Sequence, residues 1–191
     1  MITVLGSKSN GGTYILKINL KESLSLSFGG FLGGKSILLP QGNYLYIGSA
    51  LKQKGSSSLA YRLVRHASRA SGSPHLIQSN LIRFFNDHKM SSSEIKAPVK
   101  KTLHWNIDYL LERPEAEIVG AIILRSVISM ESQWSRKLER EKEIEIIEKG
   151  LGANDTPSET HLLKLHSSNN WWKDLPLRLS QLSDEPISHI E

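Results

Sequence analysis

Two tyrosines on neighbouring strands, an arginine on the next helix and a carboxylate at a later helix start could together hydrolyse a phosphodiester. Tyr14, Tyr46, Arg62 and Glu131 supply those residue types in that order. The reaction needs a group to activate water, a cation against the charge that builds on the equatorial oxygens, and a Lewis acid at the leaving oxygen. The chain has no cysteine, which excludes disulfides, thiolate zinc sites, iron–sulfur clusters and a cysteine nucleophile. It also lacks HxxxH and HExxH motifs, so a hard divalent cation on a lone carboxylate fits better than zinc. Taken singly these residues mean little. A strand tyrosine is ordinarily packing, and a glutamate at a helix start ordinarily complements the helix dipole.

The elements that must position them can be read from periodicity. Tyr14, Leu16, Ile18 and Leu20 alternate on one face of a strand, and Tyr44, Tyr46 and Gly48 do so on another, after the turn Pro40-Gln41-Gly42-Asn43. A glycine within a strand marks the close approach of another backbone or a ligand. Short strands are expected at 24–28 and 36–39. Ser58 can cap a helix from about Leu59 to Ala70, whose core stripe is Ala60, Leu63, Val64 and Ala67. Arg62, Arg65, His66 and Arg69 fall on its other side, an acid-free cationic face. Helices are further expected at 76–85, at 103–111 (with His104 and Asp108 four apart) and at 131–149, the last with Trp134, Leu138, Ile144 and Ile147 inward and the pairs Lys137–Glu141 and Glu145–Lys149 outward. Residues 117–124 read as a central strand, 160–165 as a last strand, and the polar tail from Ser183 as frayed. The fold class is α+β, a small mainly antiparallel sheet flanked by helices. One domain over 10–166, an insertion at about 71–101 and a C-terminal extension over 167–191 complete the plan.

Charge is divided along the 191 residues. Up to Leu111 there are 14 Lys/Arg against 4 Asp/Glu, and from Glu112 onward 10 against 15. A basic excess of this kind is the footprint of a polyanion binder, and a solvated face without a partner is the plain alternative. Lys52 and Lys54, on a polar loop, join Arg65 and Arg69 as candidate nucleic-acid contacts. His104 and Asp108 are candidate accessory residues, with capping or packing as the other reading. Arg83, Lys89, Lys96, Lys100 and Lys101 could make the insertion a clamp on nucleic acid, or the insertion could be a loop without consequence. Trp171-Trp172 could stack bases or fill a core. No apolar run approaches roughly 20 residues, so no membrane span is expected, and a cytoplasmic protein is the default.

The order Gly12-Thr13-Tyr14, then Tyr46-Ile47-Gly48, then Arg62-x-x-x-His66, then Glu131 resembles the GIY-YIG nuclease superfamily, in particular its small prokaryotic Uri-type members. The blocks 40–50 and His104-Trp105-Asn106-Ile107-Asp108, and the late stretches Gly150-Leu151-Gly152-Ala153-Asn154-Asp155 and Thr160-His161-Leu162, add to the resemblance. It implies a metal-dependent endonuclease on DNA or RNA, DNA first. Tyr14 would act as or assist the general base, and Tyr46 would position water or phosphate. Gly48 would leave room for the substrate backbone, Arg62 would stabilise the scissile phosphate, and His66 would orient it. Glu131 would hold one Mg²⁺ or Mn²⁺. A phenol of ordinary pKa near 10 is a poor base at neutral pH, so it would need the metal or a neighbour. A non-catalytic nucleic-acid-binding module on the same fold is the alternative. A targeting partner protein or a homodimer could supply specificity or a second cut.

Overall fold

The computed structural model describes residues 1–6, 9–55, 57–153, 159–167, 169–183 and 186–190. Among the described residues nine strands and five α-helices follow in the order β1 (Ile2–Leu5), β2 (Gly12–Leu20), β3 (Leu24–Ser27), β4 (Ser36–Leu39), β5 (Gly42–Ala50), α1 (Leu59–His66), α2 (Gln78–Asp87), α3 (Asn106–Leu111), β6 (Ala116–Arg125), α4 (Glu131–Leu138), β7 (Ile144–Glu145), β8 (Leu162–Leu165), α5 (Asn169–Ser183) and β9 (Ile187–Ile190). Seven strands form one sheet, ordered β7-β8-β5-β2-β6-β1-β9, and β3 and β4 form a separate ribbon. All pairings in the large sheet are antiparallel except β1 with β6. The protein is thus α+β, a mostly antiparallel sheet flanked by helices. Among the described residues no helix is long and apolar enough to cross a membrane.

Both sheet faces are buried, which makes three layers. On the first face the even-numbered residues of β2 and β5, Tyr14 to Leu20 and Tyr44 to Tyr46, pack with Leu63 and Val64 of α1, Phe84 and Phe85 of α2, and Ile107 and Leu110 of α3. On the second, Ile15, Leu45 and Ile47 meet Trp134 and Leu138 of α4 and Trp172, Leu175 and Leu179 of α5. Strand β6 changes parity part-way: Ile118 and Ile123 face the first layer, while Ile122 and Leu124 face the second. The cause is an extra residue opposite the Lys17/Ile18 step, where Lys17 pairs with Gly120 and Ile18 with Ile118. Gly120 beside that bulge receives the Trp172 ring, since a Cβ there would lie 3.1 Å from its Cζ2. Trp172 is therefore core and unavailable for base stacking.

Three expectations need correction. The helix from Glu131 ends at Leu138, not near Lys149, because the chain turns so that Ile144–Glu145 can pair with β8. The charges on that stretch find partners across space: Glu141 binds Arg178 and the Trp171 indole, and Glu145 sits beside Lys164 and His166. The tail is not frayed over 187–190, since β9 pairs antiparallel with β1. Within 71–101, Met90 and Ile95 are core and Lys101 is turned inward, which removes it from any clamp.

Removing a buried aromatic ring costs about 3–5 kcal/mol through lost transfer free energy and the cavity left behind. Trp172→Ala is therefore expected to lower unfolding free energy by about that much. Urea denaturation followed by far-UV circular dichroism checks it, and a loss under about 1 kcal/mol would mean that α5 contributes little to the fold.

Candidate active site

Strand register makes the floor of the site. Tyr14 lies opposite Gly48, and Leu16 opposite Tyr46, so both tyrosines and the glycine share the first face. Tyr14 is fully buried and Tyr46 nearly so. Their rings are tilted with centroids 6.3 Å apart. A Cβ on Gly48 would stand 2.5 Å from the Tyr14 hydroxyl oxygen. The absent side chain therefore seats a phenol, which corrects the expectation that it makes room for substrate backbone.

Helix α1 crosses above this floor and delivers Arg62, Arg65 and His66, with Arg69 just past its end rather than on the longer helix expected to Ala70. The Tyr14 hydroxyl lies 2.9 Å from His66 Nε2. His66 Nδ1 has no hydrogen-bond partner, and its nearest acceptor is Asp108 Oδ1 at 3.5 Å. Asp108, wholly buried, accepts the backbone N–H groups of His104 (2.9 Å) and Trp105 (3.1 Å), which caps α3. It also pairs with Arg65 at 3.1 Å and has Lys101 at 3.8 Å. Arg65 is thus an internal partner and not a surface cation. Arg69 is spent likewise, donating to the carbonyls of Leu111, Ser73 and Ala116 and lying 3.6 Å from Glu117. The cationic face expected of α1 is largely neutralised from within. Lys52 and Lys54 stay exposed on the loop after β5 and do not line the cleft.

Arg62 differs from its neighbours. Its guanidinium lies 3.7 Å from the centroid of the Trp105 ring, which Arg65 also approaches at 4.3 Å. This cation–π contact holds the group against the ring without neutralising its charge. Among the described residues no carboxylate pairs with Arg62, and its buried Nε has no hydrogen-bond partner. His104 meets Trp105 edge-on, and its role toward Asp108 is played by its amide, not its imidazole.

The opposite wall comes from α4. The Met130 N–H donates to Thr13 Oγ1 at 2.8 Å, which pins the helix start beside Tyr14. Glu131 then accepts the Ser49 hydroxyl on one oxygen, and His161 Nδ1 lies 3.0 Å from the other. His161 Nε2 is 3.3 Å from Glu159. Tyr14, Tyr46, Gly48, Arg62 and Glu131 converge on one cleft of about 310 Å³, together with Ser49, Trp105, Ser129, Ser132, Gly152 and His161. Trp105 and His161 also enter the cleft; in the sequence they stand only within the stretches 104–108 and 160–162, which assign neither of them a role. Asn154 and Asp155 lie outside the described residues.

Burial dominates the electrostatics. It pushes the Tyr14 phenol well above its ordinary value, against the lowering effect of Arg62, and it raises Tyr46 in the same direction. It lowers His66 to about 4, with Asp108 opposing and Lys101 and Arg62 assisting. Burial also works against the Asp108 carboxylate, but His66, the His104 amide and Lys101 together hold it far below the usual range. For His161, burial disfavours the imidazolium, yet the Glu131 and Glu159 carboxylates outweigh it and raise the pKa. At neutral pH the chain Tyr14–His66–Asp108 is therefore phenol, neutral imidazole and carboxylate. A neutral His66 facing Asp108 keeps its proton on Nδ1 and leaves Nε2 to accept from Tyr14.

The cleft thus sets one guanidinium opposite one carboxylate, over a floor of two phenols. The family model described as a domain of unknown function, DUF123, matches residues 13–183, and the chain belongs to that family. No curated protein and no solved structure matches the chain. The match overturns the resemblance to GIY-YIG and Uri-type nucleases, for which no family model matches. The roles that resemblance lent to Tyr14, Tyr46, Gly48, Arg62, His66 and Glu131 now rest on geometry alone.

Two buried histidines make stability depend on pH. His66 titrates at about 4 in the fold against an ordinary 6.5, and His75, also lowered mainly by burial, at about 3. Between those values the unfolded chain binds protons that the folded chain does not, so stability rises with pH. It is complete above about 6.5 and lost as pH falls toward 4. The melting temperature is expected to drop steeply from pH 6.5 to 4, and less steeply in His66→Gln. Equal slopes for the two proteins would remove this account of His66.

Proposed function

We propose that the protein is an endonuclease that hydrolyses phosphodiester bonds in DNA, with the cleft between α1 and α4 as its active site. The observation that carries the reading is Arg62: a guanidinium set against the Trp105 ring, its Nε buried without a hydrogen-bond partner and no carboxylate paired with it among the described residues, lining the cleft that Tyr14 and Glu131 also line. A charge left unbalanced beside buried phenols favours a dianionic or developing anionic oxygen there.

The other side chains then have defined tasks. Water attacks phosphorus as the bond from phosphorus to the leaving sugar oxygen breaks; the water proton passes to the Tyr14 oxygen as the phenol gives its own to His66 Nε2, and the departing oxygen takes a proton from solvent. Tyr14 relays and does not act alone, because burial holds it as a phenol. His66 is a weak acceptor at rest. Phosphate bound at Arg62 offsets one of the charges that depress it, so substrate itself improves the acceptor. Tyr46 presents a second hydroxyl to the same space. Arg62 takes the charge on the equatorial oxygens.

A divalent cation fits at Glu131. Among the described residues no cluster of three or more His, Asp or Glu could hold a metal alone. The Glu131 carboxylate, whose oxygens meet the Ser49 hydroxyl and His161 Nδ1, would take Mg²⁺ or Mn²⁺ in place of the imidazole contact, with the shell completed by water and a substrate phosphate. Such an ion would supply Lewis-acid stabilisation at the leaving oxygen. The alternative of a binding module without turnover would rest on Lys52, Lys54 and Arg62, since Arg65 and Arg69 are engaged internally. One cleft cuts one strand, so a double-strand break would take a second copy or a second nick.

Arg62→Ala is expected to lower Mg²⁺-dependent nicking of supercoiled plasmid by about 10²–10³-fold, with circular dichroism unchanged. Glu131→Gln is expected to weaken the response to Mg²⁺ and to abolish most turnover. Nicking by Arg62→Ala at the parent rate would sink the assignment.

A further inference from the structure

We propose that the loop joining β6 to α4 is an apolar wedge that enters duplex DNA beside the phosphodiester in the cleft. The favoured substrate is then a duplex with a weakly stacked step, such as a mismatch. The inference rests on the reading of the cleft as a phosphodiester hydrolase.

The loop divides its side chains between two directions. Ser129, Glu131 and Ser132 line the cleft, while Val127 and Ile128 stand 70% and 66% exposed. They are the one consecutive pair of exposed large apolar side chains among the described residues. The pair is held out by a fixed backbone. The Ser126 N–H donates to Gly11 O at 3.0 Å, the Ile128 N–H to Ser126 Oγ at 3.0 Å and the Met130 N–H to Thr13 Oγ1 at 2.8 Å. Met130 is buried and anchors the far end. Two large apolar groups kept in water by a tied loop lose the benefit of burial that a partner would restore.

The charge around them names the partner. Ala50, Gly12 and Arg125 are aligned across β5, β2 and β6, so the loops that follow β5 and β6 leave the same end of the sheet. Lys52 and Lys54 lie exposed on one side, and Val127 and Ile128 lie on the other, about two strand spacings or ~10 Å away. The connection between them is firm: the Asn10 N–H donates to Gln53 at 3.0 Å, and Arg125 Nε donates to Ser9 O at 2.7 Å. Neither loop contains an acidic residue. Lysines beside an apolar tip match a phosphate backbone beside a base stack. Inserting aliphatic groups between bases costs unstacking, which is least where the step is already weak.

Fluorescence anisotropy with two end-labelled 25-base-pair DNA duplexes, one fully paired and one with a central mismatch, tests this in EDTA with the full chain. The parent is expected to bind the mismatched duplex about tenfold more tightly. The double variant Val127→Ser/Ile128→Ser is expected to bind both alike, with an unchanged melting temperature and salt slope. Lys52→Ala/Lys54→Ala should weaken both duplexes equally and reduce the salt slope. Equal binding of the two duplexes by the parent, or retained preference in the double serine variant, overturns the wedge. Plasmid nicking by the same samples separates the two readings: nicking without mismatch preference removes only the wedge, and absence of any binding or nicking removes the function as well.

Discussion

Asp108 has no contact with water, and a carboxylate in that position is tolerated only when its charge and lone pairs are fully used. Here they are. One oxygen takes the two amides that open α3, Arg65 and Lys101 supply positive charge, and His66 faces the other oxygen. The arrangement fixes α3 against α1 and stacks Trp105 beneath two arginines. It also sets the tautomer of the imidazole that meets Tyr14. Structure and chemistry share one group: without the carboxylate, Arg65 would lose its ion pair, and Arg62 would lose the platform that aims it.

That sharing explains how a strongly basic stretch of sequence comes to present few free cations at the site. Arg65, Arg69 and Lys101 turn inward and are matched by Asp108, Glu117, Glu112 and a set of backbone carbonyls. The charge that stays outside is carried by loops. Within the cleft, among the described residues, a single guanidinium is left without a carboxylate, and a single unmatched charge set beside buried groups discriminates among ligands more sharply than a broad basic surface does.

The sequence made the parts legible where one rule acted alone. Alternation in Tyr14–Leu20 and Tyr44–Gly48 placed both tyrosines on one face, and the apolar run at 117–124 marked the central strand. The stripe of Ala60, Leu63 and Val64 set the inner side of α1. Where two rules competed, the reading failed. Glu145 and Lys149 have helical spacing, but strand pairing with β8 is the stronger demand there. Ile187–Ile190 shows no alternation because it is an exposed edge. Arg65 and Arg69 looked like surface charge, since nothing in local spacing records a carboxylate more than forty residues away. His161 and Trp105 entered the cleft by the same route, through contacts that only the folded chain creates.

Strand β1 lies between β6 and β9, with Ile2 opposite Ala121 and Thr3 opposite Ile190. Both neighbours follow β2 and β5 in the chain, so those two are free to close first as an antiparallel pair. Contacts between distant parts of a chain form late, because the entropy of closing the loop must be lost before any of them is gained. The β2–β5 pair can thus assemble the tyrosine floor early, while β1 waits, apolar and unpaired, until β6 appears, and keeps an open edge until β9 does. On a ribosome that interval is when this protein is most exposed to unwanted strand pairing.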